Sequence, residues 1–166
     1  IRLFNLQDEC CCGVLEGHTT YVSDVSGIPN APWMVVSGGQ DRVAKVWDLR
    51  VPHEVDDATM HTDGAITCVE GVSEHRIVTA DSSSTITIWD TRTWKCIVGL
   101  KGHKGCVNSL RTVDGSFDAG DITVSDAGHD SDDVPWLLSG GHDGAFRIEV
   151  DAMSKPDCES IHSFTH

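Results

Sequence analysis

Apolar residues fall in short runs along this chain, and turn-forming residues separate them. The run from Val35 to Arg50, VVSGGQDRVAKVWDLR, shows the pattern. Two apolar segments, VV and VAKVW, flank Gly38, Gly39 and Asp41, which suit a tight bend. This pattern predicts a β-hairpin with a large aromatic at the end of its second strand. It recurs as IVTADSSSTITIWDTR from Ile77 to Arg92 and as LLSGGHDGAFRIEV from Leu137 to Val150. The opening residues IRLFNL read as the tail of one more copy, with Phe4-Asn5 where Trp-Asp would stand.

A second signal keeps step with the first. Gly17-His18, Met60-His61 and Gly102-His103 each precede a short apolar segment. The histidines are 43 and 42 residues apart, and Trp47 and Trp89 are separated by 42. Gly-His early and Trp-Asp late, at this period, mark a four-stranded propeller blade. On these motifs the chain resembles the WD-repeat β-propeller family over nearly its whole length. The resemblance implies an all-β fold, an arc of four-stranded antiparallel blades with three complete blades and one half-blade. It divides the chain into a half-blade at 1–16 and blades at 17–60, 61–101 and 102–166. Ile1 enters an inner strand and His166 reaches a new Gly-His turn, so the reading expects a larger ring, or an arc completed by another chain.

The first full blade is expected to hold strands at Tyr21–Ser26, Trp33–Ser37, Val43–Leu49 and Val51–Met60, and the next at Ala65–Val72, Arg76–Thr79, Thr85–Asp90 and Cys96–Leu100. The last begins with Cys106–Val113. An insertion near 114–133, rich in Asp, Gly and Ser, then delays Trp136–Ser139 and Ala145–Val150, and Cys158–Phe164 would be the outer strand. Such a composition predicts a solvated loop. Asp126, Asp130, Asp132 and Asp133 resemble a calcium loop only loosely, because the Gly and the terminal Glu of that motif are missing.

With 26 acidic residues against 12 Lys and Arg, the formal net charge of −14 argues against nucleic-acid backbone binding and allows a basic peptide or protein partner. No apolar run approaches the roughly 18 residues of a membrane span. Seven cysteines without framework spacing predict reduced thiols in the cytoplasm or nucleus. For Cys10-Cys11-Cys12 the expected role is strand packing, with metal binding or lipid attachment as alternatives.

The resemblance also implies one buried His, Ser/Thr, Asp and Trp network per blade. Its members here would be His18, Ser37, Asp41 and Trp47, then His61, Thr79 and Trp89, then His103, Ser139 and Asp143. Ser83 stands where Asp is expected in the second set, and Glu149 where Trp is expected in the third. Because His, Ser and Asp repeat with the blades, they read as structural and not as a catalytic triad. No phosphate loop, paired metal ligands or nucleophile elbow appears, so no enzyme and no cofactor are expected. In the family, loops on one face commonly bind peptides. The matching positions are Thr19, Tyr21, Gln40, Ser82, Lys104 and His142, with Tyr21 the best anchor. The resulting expectation is a non-enzymatic protein–protein interaction scaffold. The alternative is a substrate receptor of a cullin–RING ubiquitin ligase, using the boxes Trp47-Asp48-Leu49-Arg50 and Trp89-Asp90-Thr91-Arg92. A hydrolase is a distant third.

Overall fold

Short apolar runs bounded by turn residues suit strands, and the segments do become strands. The computed structural model describes residues 1–51, 53–113, 136–143, 145–149 and 161–165. Strands β1 (Arg2–Asn5) and β2 (Cys10–Val14) form a two-stranded sheet. β3 (Val22–Ile28), β4 (Ala31–Gly39), β5 (Val43–Asp48) and β6 (His53–His61) form the first four-stranded sheet. β7 (Ile66–Ser73), β8 (Arg76–Asp81), β9 (Thr85–Asp90) and β10 (Lys95–Lys101) form the second. β11 (Val107–Val113), β12 (Trp136–Gly141), β13 (Ala145–Glu149) and β14 (Ile161–Thr165) form the third. All pairs are antiparallel and in chain order, and no helix occurs among the described residues. The architecture is that of WD-repeat propeller blades in an open arc.

The strands at the outer edge differ from the expected bounds. β6 begins at His53, two residues later than expected, and takes in His61. For β14 the structure describes Ile161–Thr165. The acidic stretch at 114–133 lies outside the described residues, as does Cys158.

Most of the core lies between blades. Val36, Ala44, Val46 and Met60 of the first blade pack with Ile66, Val69, Ile77 and Trp89 of the second. Val78, Ala80, Ile86 and Ile88 of the second pack with Val107, Leu110 and Leu137 of the third. The two-stranded sheet is less well covered, for Phe4 is 61% exposed and Leu6 90%.

The innermost strands β3, β7 and β11 carry a repeated irregularity. Their pairing slips between Val22 and Asp24, between Ile66 and Cys68, and between Val107 and Ser109. A bulge leaves one extra residue in the bulged strand and sharpens its twist. Side chains then tie each inner strand to the next. Asp24 accepts the Val69 N–H at 3.0 Å and the Ser26 hydroxyl oxygen accepts the Gly71 N–H at 3.2 Å. Glu70 accepts the Thr112 N–H at 3.3 Å, and the Ser26 hydroxyl donates to its other oxygen at 3.4 Å. Gly71 lies so close to β3 that a Cβ there would sit 2.2 Å from the Gly27 carbonyl oxygen.

Candidate functional site

Antiparallel pairing brings four chain segments of each blade to one edge: the entry to the innermost strand, the turn after the second strand, the start of the third, and the end of the fourth. Equivalent backbone bonds close this edge in all three blades. Gln40 N–H donates to the Tyr21 carbonyl, Ser82 N–H to that of Ala65, and His142 N–H to that of Cys106, each at 2.9 Å. These bonds align the blades residue by residue. Thr62 therefore stands where His18 and His103 stand, three residues before the aligned carbonyl.

Below that edge lies the polar network. In the first blade the Trp47 indole N–H donates to the Ser37 oxygen at 2.8 Å. Ser37 Oγ lies 2.8 Å from His18 Nε2, and His18 Nδ1 lies 2.9 Å from Asp41. With the ring proton on Nδ1, facing the carboxylate, Nε2 accepts the serine proton and every group has a role. Asp41 also accepts the Thr19 N–H at 3.0 Å, which fixes the loop above it. Burial alone would raise the Asp41 pKa, but its bonds from His18 and Thr19 outweigh this and hold it below the usual value. The third blade repeats the Ser–His–Asp part of the set. His103 Nε2 is 2.9 Å from Ser139 Oγ, His103 Nδ1 is 3.0 Å from Asp143, and Asp143 accepts the Lys104 N–H at 2.8 Å.

The second blade departs from this plan and corrects one expectation. His61 is exposed at the end of β6, where it pairs with Val43, and the structure does not bring it to Thr79 or Trp89. Trp89 still donates to Thr79 at 2.9 Å. With Thr62 in the histidine position and Ser83 in the aspartate position, the carboxylate has moved to Asp81, which is 2% exposed. Asp81 accepts the Ser83 N–H at 2.8 Å, the Thr85 N–H at 3.1 Å and the Ser83 hydroxyl. Its counterparts are Gly39 and Gly141. A Cβ at Gly39 would lie 2.7 Å from Asp41 and 3.0 Å from His18, and one at Gly141 would lie 2.6 Å from His103. The His–Asp pair fills the space in which Asp81 sits when that pair is absent. Sequence reading missed Asp81 because it looked for the carboxylate at a fixed spacing.

Thr19, Tyr21, Gln40, Ser82, Lys104 and His142 are all exposed at this edge, Tyr21 by 79%. Exposed Asp63, next to Thr62, joins them and was not singled out in the sequence.

At the opposite edge, Arg50 grips Asp48 through its own backbone N–H at 2.9 Å and its guanidinium at 2.6 Å. Arg92 grips Asp90 in the same way, at 2.8 and 2.7 Å. The bonds from Arg92 hold the Asp90 carboxyl well below the ordinary range.

The packing role expected for Cys10-Cys11-Cys12 is also corrected. All three thiols are exposed, because β2 is the outer strand of a sheet with only two strands. Cys68 is buried, which pushes its thiol up to about 12. No cluster of three metal-ligating side chains occurs among the described residues, and no helix there is long and apolar enough to cross a membrane.

Comparison with known proteins agrees with this geometry. Residues 9–48 match the family described as WD domain, G-beta repeat. The chain is 30% identical over 93 residues to p21-activated protein kinase-interacting protein 1-like from Gallus gallus, covering 56% of this chain and 25% of that protein. It is 29% identical over 103 residues to coatomer subunit beta'-1 from Arabidopsis thaliana, covering 60% and 11%. It is 26% identical over 100 residues to periodic tryptophan protein 2 homolog from Dictyostelium discoideum, covering 55% and 11%. The matched region thus spans a quarter or less of each relative's length. Three four-stranded antiparallel blades, the repeated Ser–His–Asp and Trp–Ser/Thr bonds and these matches make the chain similar to the WD-repeat β-propeller family, whose repeat it matches at residues 9–48.

Proposed function

We propose that this chain serves as part of a non-enzymatic protein–protein interaction scaffold in the cytoplasm, and that it engages a peptide through Thr19, Tyr21, Gln40, Ser82, Lys104 and His142. One observation carries the reading. These residues are exposed at equivalent points of adjacent blades, on turns closed by the same backbone bonds. A rigid platform under varied side chains lowers the ordering cost of binding. The His, Ser and Asp groups lie beneath it, and in the first blade Trp47 donates to the serine oxygen that a nucleophile would need free. That favours a structural role over hydrolysis. Relatives named as kinase-interacting or as a coatomer subunit support protein partners in general.

The test is retention of protein partners by the full-length protein carrying Tyr21→Ala. An exposed aromatic anchor removed from a platform lowers affinity by about 2 kcal/mol or more, roughly thirtyfold, with thermal stability unchanged. Unchanged partner retention by this variant and by Lys104→Ala overturns the reading.

A second reading has its own support. The Asp48–Arg50 and Asp90–Arg92 pairs repeat at the opposite edge, with each Arg side chain more than 60% exposed. Such a pair of boxes fits a ubiquitin-ligase adaptor surface. Co-purification with a cullin adaptor, lost in Arg50→Ala with Arg92→Ala, would establish it. Its absence in the wild type rejects it.

A further inference from the structure

The same backbone frame carries different chemistry in each blade. The residue two before the aligned carbonyl is Thr19, Asp63 or Lys104, and its neighbour across the edge is Gln40, Ser82 or His142. The three pairs therefore run uncharged, acidic and basic around the arc. The buried groups beneath also differ. In the first and third blades the carboxylate lies against an imidazole, as Asp41–His18 and Asp143–His103. In the second blade Asp81 is held by N–H and hydroxyl donors instead, and exposed Asp63 adds a second carboxylate to that blade. Lys104 sits on a loop whose N–H is pinned to Asp143, and the turn holding His142 packs against Gly105, whose Cβ would lie 3.3 Å from the His142 Cβ. Lys104 and the His142 imidazole are neighbours held by the fold.

We propose that this face selects an extended peptide carrying a basic side chain over Asp63 and a carboxylate over Lys104 and His142. The inference rests on the peptide-binding reading above and names its partner class. Asp63 and Lys104 stand just before β7 and β11, and side-chain bonds join those two strands directly, so an extended chain crossing from one blade to the next passes both charges within a few residues. The partner is thus of mixed charge, whereas the net charge of −14 suggests a purely basic one. Opposite charges in this fixed order also set the direction in which the peptide lies, since the reverse order places like charges together.

The experiment uses the full-length protein and a set of labelled Gly/Ser-rich peptides, read by fluorescence anisotropy. Each peptide has one Lys and one Glu, at separations of one to six residues and in both orders. The expected result is a preference for one order, strongest at one separation. Asp63→Lys and Lys104→Glu should each weaken it at least tenfold, and the double variant should prefer the opposite order. A preference that ignores both substitutions overturns the proposal. So does a binding order that the double variant leaves unchanged, or the absence of any ordered preference. Tyr21→Ala separates the two levels. If it abolishes partner retention while the charge swaps do nothing, the loop face still binds and only this inference fails. If Tyr21→Ala and the swaps are all silent, both fail.

Discussion

At the scale of single residues, one tryptophan and one glycine show how tightly the network is specified. Trp47 is fully buried and its N–H is bonded to Ser37. Trp47→Ala should cost about 3–5 kcal/mol, as loss of a large buried aromatic does, and denaturant unfolding would measure it. Gly39 has no room for a methyl group because His18 and Asp41 occupy it. Gly39→Ala should therefore destabilise by about 1–3 kcal/mol through overpacking. Asp41 offers a pH test. Its pKa in the folded chain is lowered, so its contribution is complete above the usual carboxylate pKa and lost as pH falls through the folded value. Wild type should exceed Asp41→Asn in stability at pH 7, and the gap should narrow below about pH 4. A gap independent of pH would show that the carboxylate charge is not what matters. These residues were partly legible in the sequence. His18, Ser37, Asp41 and Trp47 stand at recognisable spacings, and so do His103, Ser139 and Asp143. The second blade misled, because His61 lies directly before Thr62 and imitates the repeat by one residue. Only the backbone bond to the Ala65 carbonyl resolves the register.

At the scale of strands, the alternating runs that end in Trp-Asp were enough to predict the hairpins β4–β5 and β8–β9. The bulges in β3, β7 and β11 were not, for they depend on pairing and leave no fixed residue type. Nor was the seam between inner strands, whose partners Ser26, Gly71, Glu70 and Thr112 come from three blades and share no short-range pattern. Two glycines at matching positions test that seam. Gly71 meets the Gly27 carbonyl, whereas a Cβ at Gly27 would meet nothing within 4 Å. Gly71→Ala should lower the midpoint of thermal unfolding by several degrees, by forcing β3 and β7 apart, while Gly27→Ala should leave it nearly unchanged. Equal effects would mean that the two inner strands are not in the contact described.

At the scale of the whole molecule, the apolar surface is unevenly covered. Phe4, Leu6 and Val14 are exposed on the two-stranded sheet, whereas Trp47, the counterpart of Phe4, is fully buried between strands. Exposed apolar faces and open strand edges favour association. Residues 1–166 expressed alone should therefore self-associate, and light scattering should report a mass above the 18.0 kDa of one chain. Phe4→Ser with Leu6→Ser should reduce this. A monomer with a cooperative transition would count against the idea.

The seam between inner strands has a consequence for how such a chain can change over time. In both joints between four-stranded blades, a side chain of the earlier blade accepts a backbone N–H of the later one: Asp24 from Val69 and Ser26 from Gly71 in the first, Glu70 from Thr112 in the second. The two joints use different residues at matching positions, Ser26 with Gly71 in one and Glu70 with Thr112 in the other. A blade copied and inserted in tandem would bring the wrong counterpart to its neighbour. Duplicating the second blade, for example, would set Glu70 against Gly71, where the shorter Ser26 now fits. Repeats of this kind are not interchangeable beads. Growth or shrinkage by whole repeats would have to be followed by substitutions on both sides of each new joint before the chain packed as well as it does now.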